Sequence, residues 1–145
     1  MRKIIQLIGL AVCLVLGGAS GTATAAPLAV IAHPSNSAAG LGATDVADLY
    51  LGKTKNFPDG KPAVPVDQTS GNAVRIKFYE KIVQQDDTWI KSYWSKMIFT
   101  GNAMPPKVIG DDAAVREWVS KNPDAIGYVD GKAVDASVKV LLILP

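Results

Sequence analysis

Residues 63–79 constrain the fold more than any other part of this sequence. In this segment a short apolar strand leads through a small polar loop into a helix. The strand is predicted at residues 63–66. The helix follows Ser70, a suitable N-cap residue because its hydroxyl can accept a hydrogen bond from a first-turn amide. Strands and amphipathic helices are interspersed along the rest of the chain. This pattern predicts an α/β or α+β domain with three layers.

The loop before this helix is a candidate anion-binding site. Gly71 and Asn72 carry little bulk, so a ligand can approach the first-turn amides, where the helix dipole favours negative charge. Arg75 lies one turn in and can lean back toward the helix start, adding donors that suit an oxyanion. The alternative is an ordinary capped helix with a solvated Arg75, because such helix starts are common. The candidate ligand-binding residues here are Ser70, Gly71, Asn72 and Arg75.

The N-terminus has the pattern of a cleaved signal peptide. Arg2 and Lys3 precede an apolar run at residues 4–16 that is short for a membrane span. Small residues follow, and residues 23–25 read Ala-Thr-Ala, which fits the A-x-A cleavage pattern. We therefore expect cleavage after Ala25 and export to the periplasm. An uncleaved anchor helix is the alternative.

Removal of residues 1–25 from the 145-residue chain leaves 120 residues without cysteine, since Cys13 lies in the leader. No linker divides residues 26–145, so a single domain is expected that relies on its core rather than on disulfides. Loss of Arg2 and Lys3 lowers the basic count from 15 to 13, equal to the 13 acidic residues. No basic run interleaved with aromatics occurs, so no nucleic-acid partner is expected.

Hydrophobic periodicity and turn signals place the other elements. Additional strands are predicted at residues 28–32, 125–129 and 138–144. A helix from Thr44 to about residue 51 precedes the central strand, and a helix at about residues 88–99 and another capped by Asp111 or Asp112 follow it. The helix after Ser70 buries a stripe of Val74, Phe78 and Ile82. The three tryptophans, Trp89, Trp94 and Trp118, lie in apolar stripes and are expected in the core.

Few residues are arranged for catalysis. His33 is the single histidine and precedes a proline, which is typical of a loop residue. The acidic pairs at residues 86–87 and 111–112 open helices, so capping explains them better than metal binding or acid–base chemistry. Ser70 lacks the G-x-S-x-G elbow, and no phosphate-loop or dinucleotide motif is present. We expect no enzyme, metal or cofactor; a small hydrolase that uses Ser70 or His33 is the weaker alternative.

Several short segments occur in an order that is specific when they are taken together. They are residues 49–53 (LYLGK), 65–67 (PVD), Ser70 with Arg75 and residues 78–79 (FY), 93–94 (YW), 99–101 (FTG), 105–106 (PP) and 125–129 (AIGYV). In these segments the chain resembles the phosphate-binding protein of the phosphate ABC transporter, and more closely its short, secreted, single-lobe relatives. The resemblance covers nearly all of residues 26–145.

The resemblance implies a type II periplasmic-binding-protein lobe, a mixed sheet flanked by helices. In the full-length family, helix N-termini hold phosphate between two lobes, and one lobe contributes an Arg-x-x-x-Ser-Gly-Thr segment. Ser70 and Gly71 match this segment, and Asn72 stands in place of the threonine. Val66 stands where the family has arginine, so Arg75 would supply the charge from the other side of the loop.

Ser35 and Asn36 follow the first strand and are expected to line the same cleft; a polar turn is the alternative. A two-lobe binding protein needs well over one ordinary domain of chain, so about 120 residues supply one lobe with a shallow site. The expected function is a periplasmic module that binds phosphate or a similar oxyanion for ABC-type transport. An ABC permease or a second copy is the expected partner. The alternative is an exported interaction or sensor module that keeps the lobe without the ligand.

Overall fold

The computed structural model describes residues 26–145, so the signal-peptide prediction lies outside the described residues. Five strands and four helices make up the domain, with a short 3-10 turn at Gly131–Ala133. The strands are β1 (Leu28–Ala32), β2 (Val64–Gln68), β3 (Lys107–Gly110), β4 (Ala125–Asp130) and β5 (Lys139–Leu144). The helices are α1 (Ala43–Tyr50), α2 (Ala73–Ile82), α3 (Asp87–Phe99) and α4 (Asp112–Lys121).

The strands form one mixed sheet in the order β3-β2-β4-β1-β5. β2 runs parallel to both β3 and β4, whereas β1 runs antiparallel to β4 and β5. β1 is therefore the strand that reverses direction, and the carboxyl ends of β2, β3 and β4 share one edge of the sheet. We call this edge, with the loops that follow it, the carboxyl edge.

Helices cover both faces of the sheet. Val30 of β1 packs on one face with residues of α1, α2 and α3, among them Tyr50, Phe78 and Trp94. Ile31 of β1 packs on the opposite face with α4 and with side chains of β2 and β4. All five residues of β1 are buried, as expected for a strand covered on both faces. The three-layer α/β architecture with a mixed sheet is thus confirmed.

Close packing of α4 on the sheet depends on Gly127 in β4. A Cβ at this position would lie 2.7 Å from Cγ1 of Val115 and 3.1 Å from Cγ2 of Val119. Any larger residue would push α4 away from the sheet. The glycine therefore lets α4 approach, and it sets where the start of α4 meets the carboxyl edge.

Several sequence predictions need correction. β3 was not expected, because its four residues follow two prolines and carry no clear alternation. α1 starts after Gly42, whose amide donates to the Asp45 carboxylate at 2.9 Å, rather than at a Thr44 cap. Of the three tryptophans only Trp94 is fully buried; Trp118 is half-buried and Trp89 is exposed. Within residues 26–145 no helix has the length and apolar character needed to cross a bilayer.

Candidate functional site

The loop of residues 69–72 connects β2 to α2 at the carboxyl edge. The amide of Asn72 donates to the carbonyl of Thr69 at 3.1 Å and closes a tight turn. Gly71 occupies the left-handed region at φ 84°, which other residues reach only with strain. Because of this turn, α2 starts two residues later than expected. Its N-cap is Asn72, whose Oδ1 accepts from the amide of Val74 at 2.8 Å, so the prediction of Ser70 as the cap is wrong.

The surface over this loop is open. Ser70 and Gly71 are exposed, and a Cβ built on Gly71 meets no atom within 4 Å. The amides of Gly71 and Ala73 donate no hydrogen bond to any residue of the described range 26–145. Unpaired amides at a helix start carry the positive end of its dipole and attract anions. The loop thus offers two amides and one hydroxyl to a ligand from solvent.

Arg75 lies beside the loop but its guanidinium is already paired. Nη1 lies 2.6 Å from Oδ1 of Asp87, and Nε lies 3.4 Å from Oδ1 of Asp67. The side chain is 11% exposed, and its guanidinium lies 5.1 Å from the ring centre of Tyr79. Asp87 is shared with Lys91, whose Nζ lies 3.0 Å from the second carboxylate oxygen. The guanidinium thus faces two carboxylates rather than solvent.

Asp67, the fourth residue of β2, is a buried carboxylate and the centre of a polar network. Its oxygens accept the phenol hydroxyl of Tyr79 at 2.6 Å, the phenol hydroxyl of Tyr128 and the amide of Gln68 at 2.8 Å. Burial, followed by the negative charge of Asp67, raises the pKa of both phenols well above the ordinary tyrosine value. The tyrosines therefore remain neutral donors, and together with Arg75 they compensate the buried carboxylate.

Gln68 extends this network toward α4. Its Nε2 donates to Oδ1 of Asp112 at 2.8 Å and to the carbonyl of Tyr128 at 2.9 Å. Its Oε1 is buried and has no partner within residues 26–145. A buried acceptor without a donor costs free energy. Gln68 therefore holds the start of α4 against β4 at the expense of one unpaired oxygen.

Ser35 and Asn36 lie at the opposite edge of the sheet, so the expectation that they line a cleft with Ser70 is wrong. They follow the carboxyl end of β1, which meets the amino ends of β2 and β4 because β1 runs the other way. There they border a hollow of about 160 Å³ together with Asp124. Asn36 Oδ1 accepts from the amide of Ala38 at 2.8 Å, which is the polar turn given as the alternative.

His33 also belongs to this turn. Its Nδ1 accepts from the amide of Ser35 at 3.0 Å and lies 2.7 Å from the Ser35 hydroxyl. These contacts are local and two residues apart, which is typical of a turn. Within residues 26–145, no three histidine, cysteine or carboxylate side chains are grouped closely enough to hold a metal ion.

Asp67, Gln68 and Tyr128 were not among the predicted site residues. A usable signal was present for the first two, because they end an apolar strand, and polar residues at a strand end lie at the edge of the sheet. Tyr128 lies in an apolar run, which does not indicate that its hydroxyl pairs with Asp67.

Carboxylates prevail at the carboxyl edge. Asp111 caps α4 beside the loop, while Arg75 faces both Asp67 and Asp87. Repulsion from these groups would weaken the binding of any anion.

The fold, with its open helix start at the carboxyl edge, is that of one lobe of a periplasmic binding protein. Three solved structures share it, and each match covers 80% of this chain. A phosphate ABC transporter substrate-binding protein from Clostridium perfringens, with phosphate bound, matches at TM-score 0.61 and 23% identity. An ABC-type phosphate transport receptor from Vibrio cholerae matches at 0.63 and 17%, and PstS from Borrelia burgdorferi at 0.60 and 14%.

These comparisons confirm, for the fold, the resemblance read from the sequence. The chain covers 45%, 46% and 47% of the three proteins, less than half of each. No family model matches the sequence, and no curated protein matches it. The matched proteins from Clostridium perfringens and Vibrio cholerae are a transporter substrate-binding protein and a transport receptor.

Proposed function

We propose that this protein is an exported, single-lobe module that binds phosphate or a similar oxyanion in the periplasm for ABC-type transport. The observation that carries the proposal is the open start of α2. There Gly71 leaves the surface clear, and the amides of Gly71 and Ala73 donate no hydrogen bond within residues 26–145. The shared fold with three phosphate-transport receptors supports the same ligand class.

Binding would use groups already in place around the loop. The oxyanion accepts from the amides of Gly71 and Ala73 and from the Ser70 hydroxyl, and the dipole of α2 stabilises its charge. Arg75 is one turn away, and its guanidinium leaves Asp87 to bind the ligand. The buried Asp67 keeps the guanidinium of Arg75 near the loop. Asp87 loses little in this exchange because Lys91 still pairs with it at 3.0 Å.

The affinity should be modest. One lobe leaves the anion in contact with water, and salt screens exposed charges over about 10 Å. Tight capture normally requires closure of a second surface over the ligand. An ABC permease is the expected partner in transport, and it would receive the loaded module at the carboxyl edge.

A second candidate is an exported interaction or sensor module that keeps the lobe and binds no oxyanion. The pairing of Arg75 with two carboxylates favours this candidate, because the guanidinium then has an internal partner and needs no ligand. The two candidates differ in a single property, the response of the folded protein to phosphate.

Thermal unfolding with increasing phosphate separates them. Under the proposal, phosphate raises the melting temperature in a saturable manner, and Ser70→Ala and Arg75→Ala remove the increase. Arg116→Ala is the matched control, because Arg116 on α4 is also half-buried and paired, with Asp135 at 3.3 Å. An unchanged melting temperature would contradict phosphate binding and favour the second candidate. Equal loss of the phosphate effect in Arg116→Ala would contradict binding at the start of α2.

A further inference from the structure

A large hollow lies at the end of β2 opposite to the candidate anion site. It has a volume of about 730 Å³ and is bordered by the starts of β2 and β3, the ends of α1 and α3 and the loop of residues 101–106. Its walls are mainly apolar, and we call it the apolar groove. Its apolar lining residues include Leu49, Val64, Trp94, Ile98, Met104 and Pro105.

Local contacts fix the shape of the apolar groove. The phenol hydroxyl of Tyr93 on α3 donates to the carbonyl of Leu51 at 2.6 Å and ties α3 to the end of α1. The Thr100 hydroxyl donates to the carbonyl of Lys96 at 3.0 Å, and Asn102 Nδ2 donates to that hydroxyl at 3.1 Å. Prolines at 105 and 106 stiffen the opposite wall. The groove is therefore preformed rather than opened by a ligand.

Large apolar side chains project from the rim of the apolar groove. Phe99 is 93% exposed, Met104 is 75% exposed and Ile98 is 48% exposed. Val64, which lines the groove at the start of β2, is 54% exposed. A contiguous apolar surface of this kind marks an interaction site in a soluble protein. Phe99 follows the lining residue Ile98 in α3 but does not itself line the groove, so a small ligand in the groove would leave it uncovered.

We propose that the apolar groove is the interface of a two-fold dimer of this chain, in which Phe99 of each copy packs against the groove of the other. A two-fold interface must be self-complementary, and α3 carries both the exposed ring of Phe99 and the groove-lining residue Ile98 next to it in sequence. Charges of both signs flank it, since Lys55 lines the groove and Asp48 lines the adjoining smaller hollow. Residues 26–145 carry no net charge, so two copies do not repel each other.

The test is sedimentation velocity of the protein recovered from the periplasm after expression of the full chain, over about a hundredfold range of concentration. The sedimentation coefficient should rise from the monomer value to the dimer value. Phe99→Ser and Met104→Ser should each weaken association by about tenfold, as for central apolar residues of an interface. Ile143→Ser is the matched control, because Ile143 on the edge strand β5 is 51% exposed. Since these three side chains are exposed, the variants should melt at the wild-type temperature when compared at a concentration at which all are monomeric.

A monomer at every concentration would overturn the proposal. So would equal weakening by Ile143→Ser, which would assign association to another surface. A monomer that binds dodecanoate in a saturable manner, with loss of binding in Met104→Ser, would also overturn it and assign the groove to a small amphiphile. The groove lies at the other edge of the sheet, so none of these results affects the proposed oxyanion site.

Discussion

Arg75 Nη1 lies 2.6 Å from Asp87 Oδ1, so an arginine in the first turn of α2 is paired with the first residue of α3. Asp87 is itself one of the first residues of α3, and its carboxylate is 32% exposed. The contact is therefore accessible to solvent and can be exchanged. A phosphate bound at the loop would compete with Asp87 for the donors of Arg75.

The exchange predicts that Asp87→Asn strengthens phosphate binding. Removing a competing charge at a partly exposed pair should lower the dissociation constant by about threefold. The affinity is measured by calorimetric titration at constant ionic strength. Glu117→Gln on α4 is the matched control, since it also removes one negative charge from a lysine pair. Weaker binding by Asp87→Asn would show that Asp87 supports the site rather than competing with the ligand.

The left-handed conformation of Gly71 gives a prediction with an internal reference. Gly71→Ala should cost about 1 kcal/mol of unfolding free energy, because an alanine is strained at positive φ. Gly60→Ala should cost the same, since Gly60 has φ 87° and equally open space around its Cβ position. Both costs are read from urea unfolding. Gly71→Ala should also weaken phosphate binding, whereas Gly60→Ala should not; equal affinities in the two variants would place the ligand elsewhere.

The buried carboxylate of Asp67 should be a major determinant of stability. Asp67→Ala leaves the buried charge of Arg75 without one partner and two phenols without an acceptor, at a cost of about 3 kcal/mol. Tyr79→Phe removes a single hydrogen bond and should cost about 1 kcal/mol. Urea unfolding of the two variants gives the comparison. A smaller loss for Asp67→Ala than for Tyr79→Phe would mean that the ion pair contributes nothing.

The buried tyrosines predict a loss of stability at alkaline pH. Burial raises the pKa of Tyr50, Tyr79 and Tyr128 in the folded state above the unfolded value of about 10. A group with a raised folded pKa gives its full stability below the unfolded pKa and loses it as the pH rises further. Unfolding free energy should therefore fall above about pH 10. Tyrosinate absorbance should appear together with loss of circular dichroism; ionisation of these three residues in a folded protein would contradict it.

The sequence predicted the elements with strong local signals. β1 and β4 are buried apolar runs, and α3 ends at Phe99 before the glycine at 101, as the periodicity indicated. β3 was not predicted, because this short segment forms a strand only through its pairing with β2. Local pattern therefore fixed the parts of the fold that do not depend on a distant partner.

The candidate site was harder to predict, since it depends on strand direction and on distant pairs. Ser35 and Ser70 both follow strands, but the antiparallel course of β1 separates them, and no residue pattern encodes that course. The cap moved from Ser70 to Asn72 because Gly71 adds a turn before the helix. Arg75 was correctly placed near the helix start. Its pairing with Asp87, twelve residues away, depends on how α3 packs against α2.

The oxyanion site at the start of α2 is tested by isothermal titration of the purified protein with phosphate, with sulfate as a parallel ligand and Arg75→Ala as the reference variant. We predict saturable heat at one site for phosphate, weakened by salt and lost in Arg75→Ala. Saturable heat of equal size in Arg75→Ala, or no saturable heat with either anion, would contradict the assignment of the α2 start as an oxyanion site.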